Sequence, residues 1–187
     1  MATVTVRDEG RVLRDTSEIS AFLADFGIWY RRFEDVGSAA EDASNAEILA
    51  AFEAPIRQLK EEHGYETADV VAITPDLPGL EKMLDSFSRE HWHDEDEVRF
   101  IVHGRGLFHL HPAGGPVFSV EVSKGDMINV PRQMHHWFHL CEERTIRAIR
   151  LFMNQSGWMP HYTDSKLDAR YQPICFGPAH ASPFSSP

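Results

Sequence analysis

Positive charge is scarce in this sequence: 18 lysines and arginines stand against 29 acidic residues, a formal net charge of −11 at pH 7. Such a chain repels a phosphate backbone and an anionic bilayer, so neither nucleic acid nor membrane is an expected partner. Long apolar runs are missing too. No stretch approaches the roughly 18 residues of a membrane-crossing helix, and the opening MATVTVRDEG lacks the basic end and apolar centre of a secretory signal. A cytoplasmic protein is the expectation. Cysteine occurs only as Cys141 and Cys175, too few for a disulfide framework, and a reducing compartment would leave both as thiols. There is no P-loop and no GxGxxG, which removes the usual phosphate-cradling loops. With 42% hydrophobic residues the chain is nevertheless too apolar for disorder, and its 187 residues suit one domain with a sizeable core.

What the sequence does have is histidine. Eight of its 11 histidines (His91, His93, His103, His109, His111, His135, His136 and His139) fall between residues 91 and 139. Upstream the chain reads as a short alternating strand, ATVTV, followed by a helix with Asp15 and Glu18 at its start and Ile19, Phe22, Leu23 and Phe26 on one face. GIWYRRF reads as a strand and EDVGSAAEDASN as a solvated loop. Ser44 and Glu47 have capping-box spacing for a second helix running to His63 and Gly64, with a kink at Pro55. DVVAIT is a strand, and a short helix spans Leu80 to Phe87.

From residue 91 onward short β runs alternate with turn residues: VRFIVH up to Gly104 and Gly106, LFHLH, VFSVEV, MINV, HHWFHL and TIRAIRLFM. GRG reads as a hairpin turn. Strands at this spacing predict an antiparallel sandwich or small barrel. The Pro- and Ser-rich tail after Phe176 reads as loosely ordered.

Within HWHDEDE an unbroken strand would project the odd-numbered His91, His93 and Glu97 to one side, bringing two imidazoles and a carboxylate together. That donor set suits a first-row transition metal. PRQMHHWF offers a fourth donor, His135 or His136, which face opposite ways. A lone HxH on a strand is more often packing or surface, but the spacing here goes further: H, one residue, H, three, E, six, G from His91, and G, five, P, four, H from Gly125.

Those two strings resemble the paired motifs of the cupin superfamily, with Asp85, Gln133 and Leu140 standing where the superfamily has turn and support residues. Within it, EHWHDEDEVRFIVHGRGLF, GDMINVP, HHWF, AIRLF and GW are similar to the acireductone dioxygenase family of methionine salvage, over most of residues 19 to 164. The resemblance implies a mainly β fold, a cupin jelly-roll barrel with N-terminal α-helices packed outside. The expected layout is one domain, 1–187: N-terminal strands and helices over 1–65, barrel core over 66–155, and a tail over 156–187. It also implies one Fe(II) or Ni(II) per chain on His91, His93, Glu97 and His136, with His135 facing away.

The implied reaction is cleavage of 1,2-dihydroxy-3-keto-5-methylthiopentene by O2. Iron(II) gives formate and 2-oxo-4-methylthiobutanoate, and nickel(II) gives carbon monoxide, formate and 3-methylthiopropanoate. A monomer is expected. Arg99, with the strand parity of Glu97, and Arg150 become catalytic candidates for stabilising a dianion, against the plain alternative of solvated strand charges. Phe87, Phe100, Phe138 and Trp158 become candidates for lining the pocket of the methylthioethyl tail, and each equally suits ordinary core. Glu95 and Asp96 are candidate acceptors for a ligand N–H. His109 and His111 read as barrel or surface residues. The rival functions are another cupin dioxygenase or a metal-dependent isomerase, a non-catalytic metal-binding cupin, and a zinc hydrolase, which four protein donors disfavour.

Overall fold

The structure is a computed structural model describing residues 1–33, 40, 42–153, 159–171, 173 and 175. Among the described residues, eleven strands, all paired antiparallel, form two sheets that share one long strand. The strands are β1 (Thr3–Val6), β2 (Arg11–Leu13), β3 (Tyr30–Arg32), β4 (Thr67–Ile73), β5 (His91–Trp92), β6 (Glu97–His111), β7 (Phe118–Ser123), β8 (Asp126–Val130), β9 (His135–Leu140), β10 (Ile146–Phe152) and β11 (His161–Tyr162). One sheet runs β11-β5-β9-β6-β7-β1-β2. The other runs β3-β8-β6-β10-β4. The sheets thus draw strands from both ends of the chain as well as from its centre.

The shared strand corrects one expectation. GRG is no hairpin: β6 continues through it for 15 residues. Its first half pairs with β8 and β10, its second half with β7 and β9, so the glycines mark where it passes from one sheet to the other. Gly104 has a left-handed φ of 74°, and a Cβ there would sit 2.1 Å from the Thr145 carbonyl oxygen. A Cβ on Gly106 would meet the Phe138 ring at 2.2 Å. Glycine is needed at both because neither the turn nor the close approach tolerates a side chain.

The helices lie against the sheets. Asp15 caps α1 (Thr16–Ala24) by accepting from the Ser17 and Glu18 amides, and α1 buries Ile19 and Leu23 in the larger core. Ser44 and Glu47 make the full capping box of α2 (Asn45–Ala51). Pro55 is associated with a break rather than a kink: α2 stops and α3 (Glu53–His63) begins at Phe52, one turn ahead of the proline, which has no amide to give. Ile48, Phe52, Ile56 and Leu59 pack with Val98, Phe100 and Ile149 in a second core. The fourth helix, α4 (Leu80–Ser88), packs Leu84 and Phe87 on the larger core.

The cysteines correct a second expectation. Cys141, just past β9, is disulfide-bonded to Cys175, 34 residues on, at a Cα–Cα distance of 5.2 Å. Both cysteines are buried against Leu107, a meeting of distant segments that cysteine count alone does not reveal. The expected loose tail, 176–187, lies outside the described residues.

His109 is a core residue, 3% exposed and stacked on Trp137 at 4.9 Å. Burial, with His139 beside it, pulls its pKa from 6.5 down to about 3. The folded state therefore binds fewer protons there than the unfolded chain, so this stability is complete above about pH 6.5 and is lost as pH falls toward 3. By pH 5 the loss is about 2 kcal/mol. His93 shifts the opposite way, so the contribution is isolated by difference. Urea midpoints of wild type and His109→Phe at pH 7.5 and 5.0 should show a shallower pH dependence in the variant; equal slopes would contradict the assignment.

Candidate metal centre and substrate pocket

His91, His93 and His136 converge, though not by the route that strand parity suggested. β5 ends at Trp92 and the chain bends at Asp94 and Glu95 before β6 begins at Glu97. His91 then sits directly across from His136 on β9, while Glu97 enters from the first half of β6. All four side chains are buried.

Each imidazole is oriented by a backbone carbonyl. Nδ1 of His91 lies 2.7 Å from Arg89 O, that of His93 3.0 Å from Met159 O, and that of His136 2.9 Å from Met134 O. A carbonyl oxygen only accepts, so each Nδ1 carries the proton and each Nε2 is turned toward the others. The three rings' ligand atoms lie within 4.8 Å of one another. Glu97 Oε2 stands 3.1 Å from His93 Nε2 and 3.4 Å from His136 Nε2. Among the described residues, the buried Nε2 of His136 has no hydrogen-bond partner. Three oriented nitrogens, one carboxylate and an orphaned buried lone pair fit a divalent metal ion.

The electrostatics agree. Burial drives the His91 pKa from 6.5 to about 4, with His136 adding to the effect, so this ring is a neutral donor at physiological pH. Burial opposes ionisation of Glu97, but Arg99, His136 and His93 outweigh it and hold the carboxyl well below its ordinary range. At His93 burial is likewise outweighed, by Glu97, and its pKa is raised. Binding of a divalent ion at His93 therefore competes with protonation of that ring.

These residues form the polar end of a pocket whose other walls are apolar: Val71, Ile73, Ile101, Phe108, Phe138, Ile146 and Ala148, with Phe87 beside them. Arg99 and Arg150 also line it. Arg99 NH2 is 3.1 Å from Glu97 Oε1. Arg150 is its cross-strand neighbour and is engaged by Asp69, Nε to Oδ1 at 2.7 Å.

The candidates separate accordingly. Phe87 and Phe138 line the pocket, whereas Phe100 does not. With even parity on β6, Phe100 points away from Arg99 and Ile101, into the second core against Phe33 and Phe52. Trp158 lies outside the described residues. Asp96 accepts from the Arg132 amide rather than from a ligand ring, and the ring N–H groups go to carbonyls. His135 faces away from the pocket. Residue patterns missed Tyr162, Pro160 and Phe108 as lining residues. Tyr162 reaches the site only because β11 pairs with β5, a contact 70 residues apart with no local signal.

A family model described as the ARD/ARD' family matches residues 35–160. An acireductone dioxygenase of Picosynechococcus sp. is 37% identical over 174 residues, spanning 93% of this chain and 99% of its own length. The acireductone dioxygenase of Methylococcus capsulatus is 36% identical over 176 residues, covering 91% and 94%. Among solved structures, an acireductone dioxygenase from Bacillus anthracis with a cadmium ion in its active centre superposes with a TM-score of 0.78 at 33% identity, covering 87% of this chain and 98% of that one. A cupin barrel, a four-donor cluster and likeness along nearly the whole chain agree, and this chain belongs to the ARD/ARD' family, that of the acireductone dioxygenases.

Proposed function

We propose that this protein cleaves the acireductone 1,2-dihydroxy-3-keto-5-methylthiopentene with O2, using one Fe(II) or Ni(II) held by His91, His93, Glu97 and His136. The observation that carries this reading is the ring geometry: three carbonyl-anchored imidazoles present Nε2 to one point beside a buried carboxylate. When bound at these residues, the metal would supply a Lewis-acidic template for the oxygens of an enediol.

The chain's own residues supply the rest. Arg99 places a largely buried cation at the polar end, where a substrate dianion would need it. Phe87, Phe138 and the aliphatic wall offer the methylthioethyl tail an apolar surface and keep water from the reacting end. Arg150, already paired with Asp69, acts at the rim. The active unit in this proposal is a monomer with a single catalytic domain; no described helix is long and apolar enough to cross a membrane.

Anaerobic mixing of acireductone with protein reconstituted with one metal, followed by O2, tests the reading. The iron form should yield formate and 2-oxo-4-methylthiobutanoate, and the nickel form formate, carbon monoxide and 3-methylthiopropanoate. Substrate loss no faster than in buffer with either metal would leave a non-catalytic metal-binding cupin.

A further inference from the structure

We propose that Glu90, His111 and His135 form a second divalent transition-metal site, back to back with the first across the same sheet. Glu90 and His135 are chain neighbours of the first cluster's His91 and His136, and His111 is the cross-strand neighbour of His135. His91 pairs with His136, so strand alternation sends the preceding residue of each, Glu90 and His135, to the opposite face. His111 on β6 lies directly across from His135 on β9. Two imidazoles and a carboxylate therefore meet on the outer face as well, with candidate ligand atoms within 4.8 Å of one another.

The carboxylate is built to be a ligand. Glu90 is 2% exposed, and its Oε2 accepts from the hydroxyls of Thr163 and Ser165. That leaves Oε1 aimed at the rings, 2.8 Å from His111 Nδ1 and 3.6 Å from His135 Nδ1. The His111 and His135 side chains are 28% and 40% exposed, so the site opens to solvent and leaves room for water on an incoming ion. Nitrogen and oxygen donors in this ratio suit zinc, nickel or cobalt rather than calcium or magnesium. Ligands about 2.1 Å from a tetrahedral ion stand roughly 3.4 Å apart, so the half-exposed rings close inward by about an ångström. An ion seated there would join β5, β6 and β9 to the 163–165 segment. The inference rests on these three residues alone and stands whatever the first cluster does.

The plain alternative is that Glu90 only ties the C-terminal segment to the sheet, through Thr163 and Ser165. Zinc binding by equilibrium dialysis, with bound metal counted per chain, separates the two. Wild type should take up two zinc ions, the second more weakly. His111→Ala with His135→Ala should lose that weaker equivalent while His136→Ala retains it. Glu90→Gln, which keeps hydrogen-bonding capacity at the Thr163 and Ser165 side, should weaken the second event by about tenfold or more. Both exposed histidines can be truncated without opening the core, and circular dichroism checks this. A wild-type protein whose zinc stoichiometry equals that of the His111→Ala and His135→Ala double variant would overturn the proposal.

Discussion

Alanine in place of His91, His93, Glu97 or His136 is expected to remove the bound metal and the turnover together. Replacing even a residue that merely orients a ligand costs about 10 to 100-fold in metal affinity or activity, so losing a direct donor should exceed a hundredfold. The four positions should not be equal in the metal-free protein. Glu97 is the one carboxylate among three imidazoles and a counter-ion of Arg99, so Glu97→Ala also removes negative charge from beside a largely buried guanidinium and should lower stability most. His136→Ala removes an Nε2 that has no hydrogen-bond partner in this structure, and should cost metal while costing little fold. Metal content of the purified variants and oxygen uptake with acireductone measure both effects. His135→Ala is the control: it should keep the first metal, because its ring faces the other side of the sheet. A His136→Ala protein with full occupancy, or a His135→Ala protein depleted of the first metal, would reverse the choice of histidine.

That choice shows what a sequence of this kind makes legible. The β runs were readable because their ends are written locally, in PAGG, SKGD and Pro131, and the helix starts at Asp15 and Ser44 because capping is a matter of three residues. The convergence of His91, His93 and His136 beside Glu97 was readable from motif spacing, although the structural route to it was not: the bend at Asp94 and Glu95 means that His91 and Glu97 converge from different sheets, not from one strand face. Gly104 and Gly106 were misread because a glycine pair inside a bending strand looks, locally, like one in a hairpin. Phe100 was the reverse case. Its even number already set it against Arg99 and Glu97, so parity on β6 held the correct signal and the family likeness overrode it. Nothing local could reveal the Cys141–Cys175 pair or the Glu90, His111 and His135 group. The first depends on a C-terminal segment returning to the sheet and the second on β9 pairing with both β5 and β6, so that His111, with no carboxylate in its own strand, meets one at β5's leading edge.

Arg99→Ala should separate metal binding from charge stabilisation. The guanidinium is buried at the polar end of the pocket; burial draws its pKa down from 12.5 to about 10, with Glu97 opposing the shift, so it remains charged at neutral pH. Arg150 across the strand has Asp69 as its counter-ion, which leaves Arg99 as the cation nearest the metal cluster through Glu97. A divalent ion on Glu97 supplies the positive charge that the carboxylate loses with Arg99, so the variant should load close to one equivalent. Turnover should then fall by about a hundredfold or more, the scale for removing one preorganised group aimed at developing charge. Arg99→Lys should recover only part of it, because an ammonium restores the charge without the planar fork that engages two oxygens at once. The loss should fall on kcat more than on KM, since the charge it meets is greatest after the enediol has given up its protons. Metal-free Arg99→Ala should also be less stable than wild type, and metal loading should close most of that gap. If loaded Arg99→Ala turns over at the wild-type rate, Arg99 serves only as the counter-ion of Glu97, and the substrate's charge must be met by the metal and by Arg150 released from Asp69.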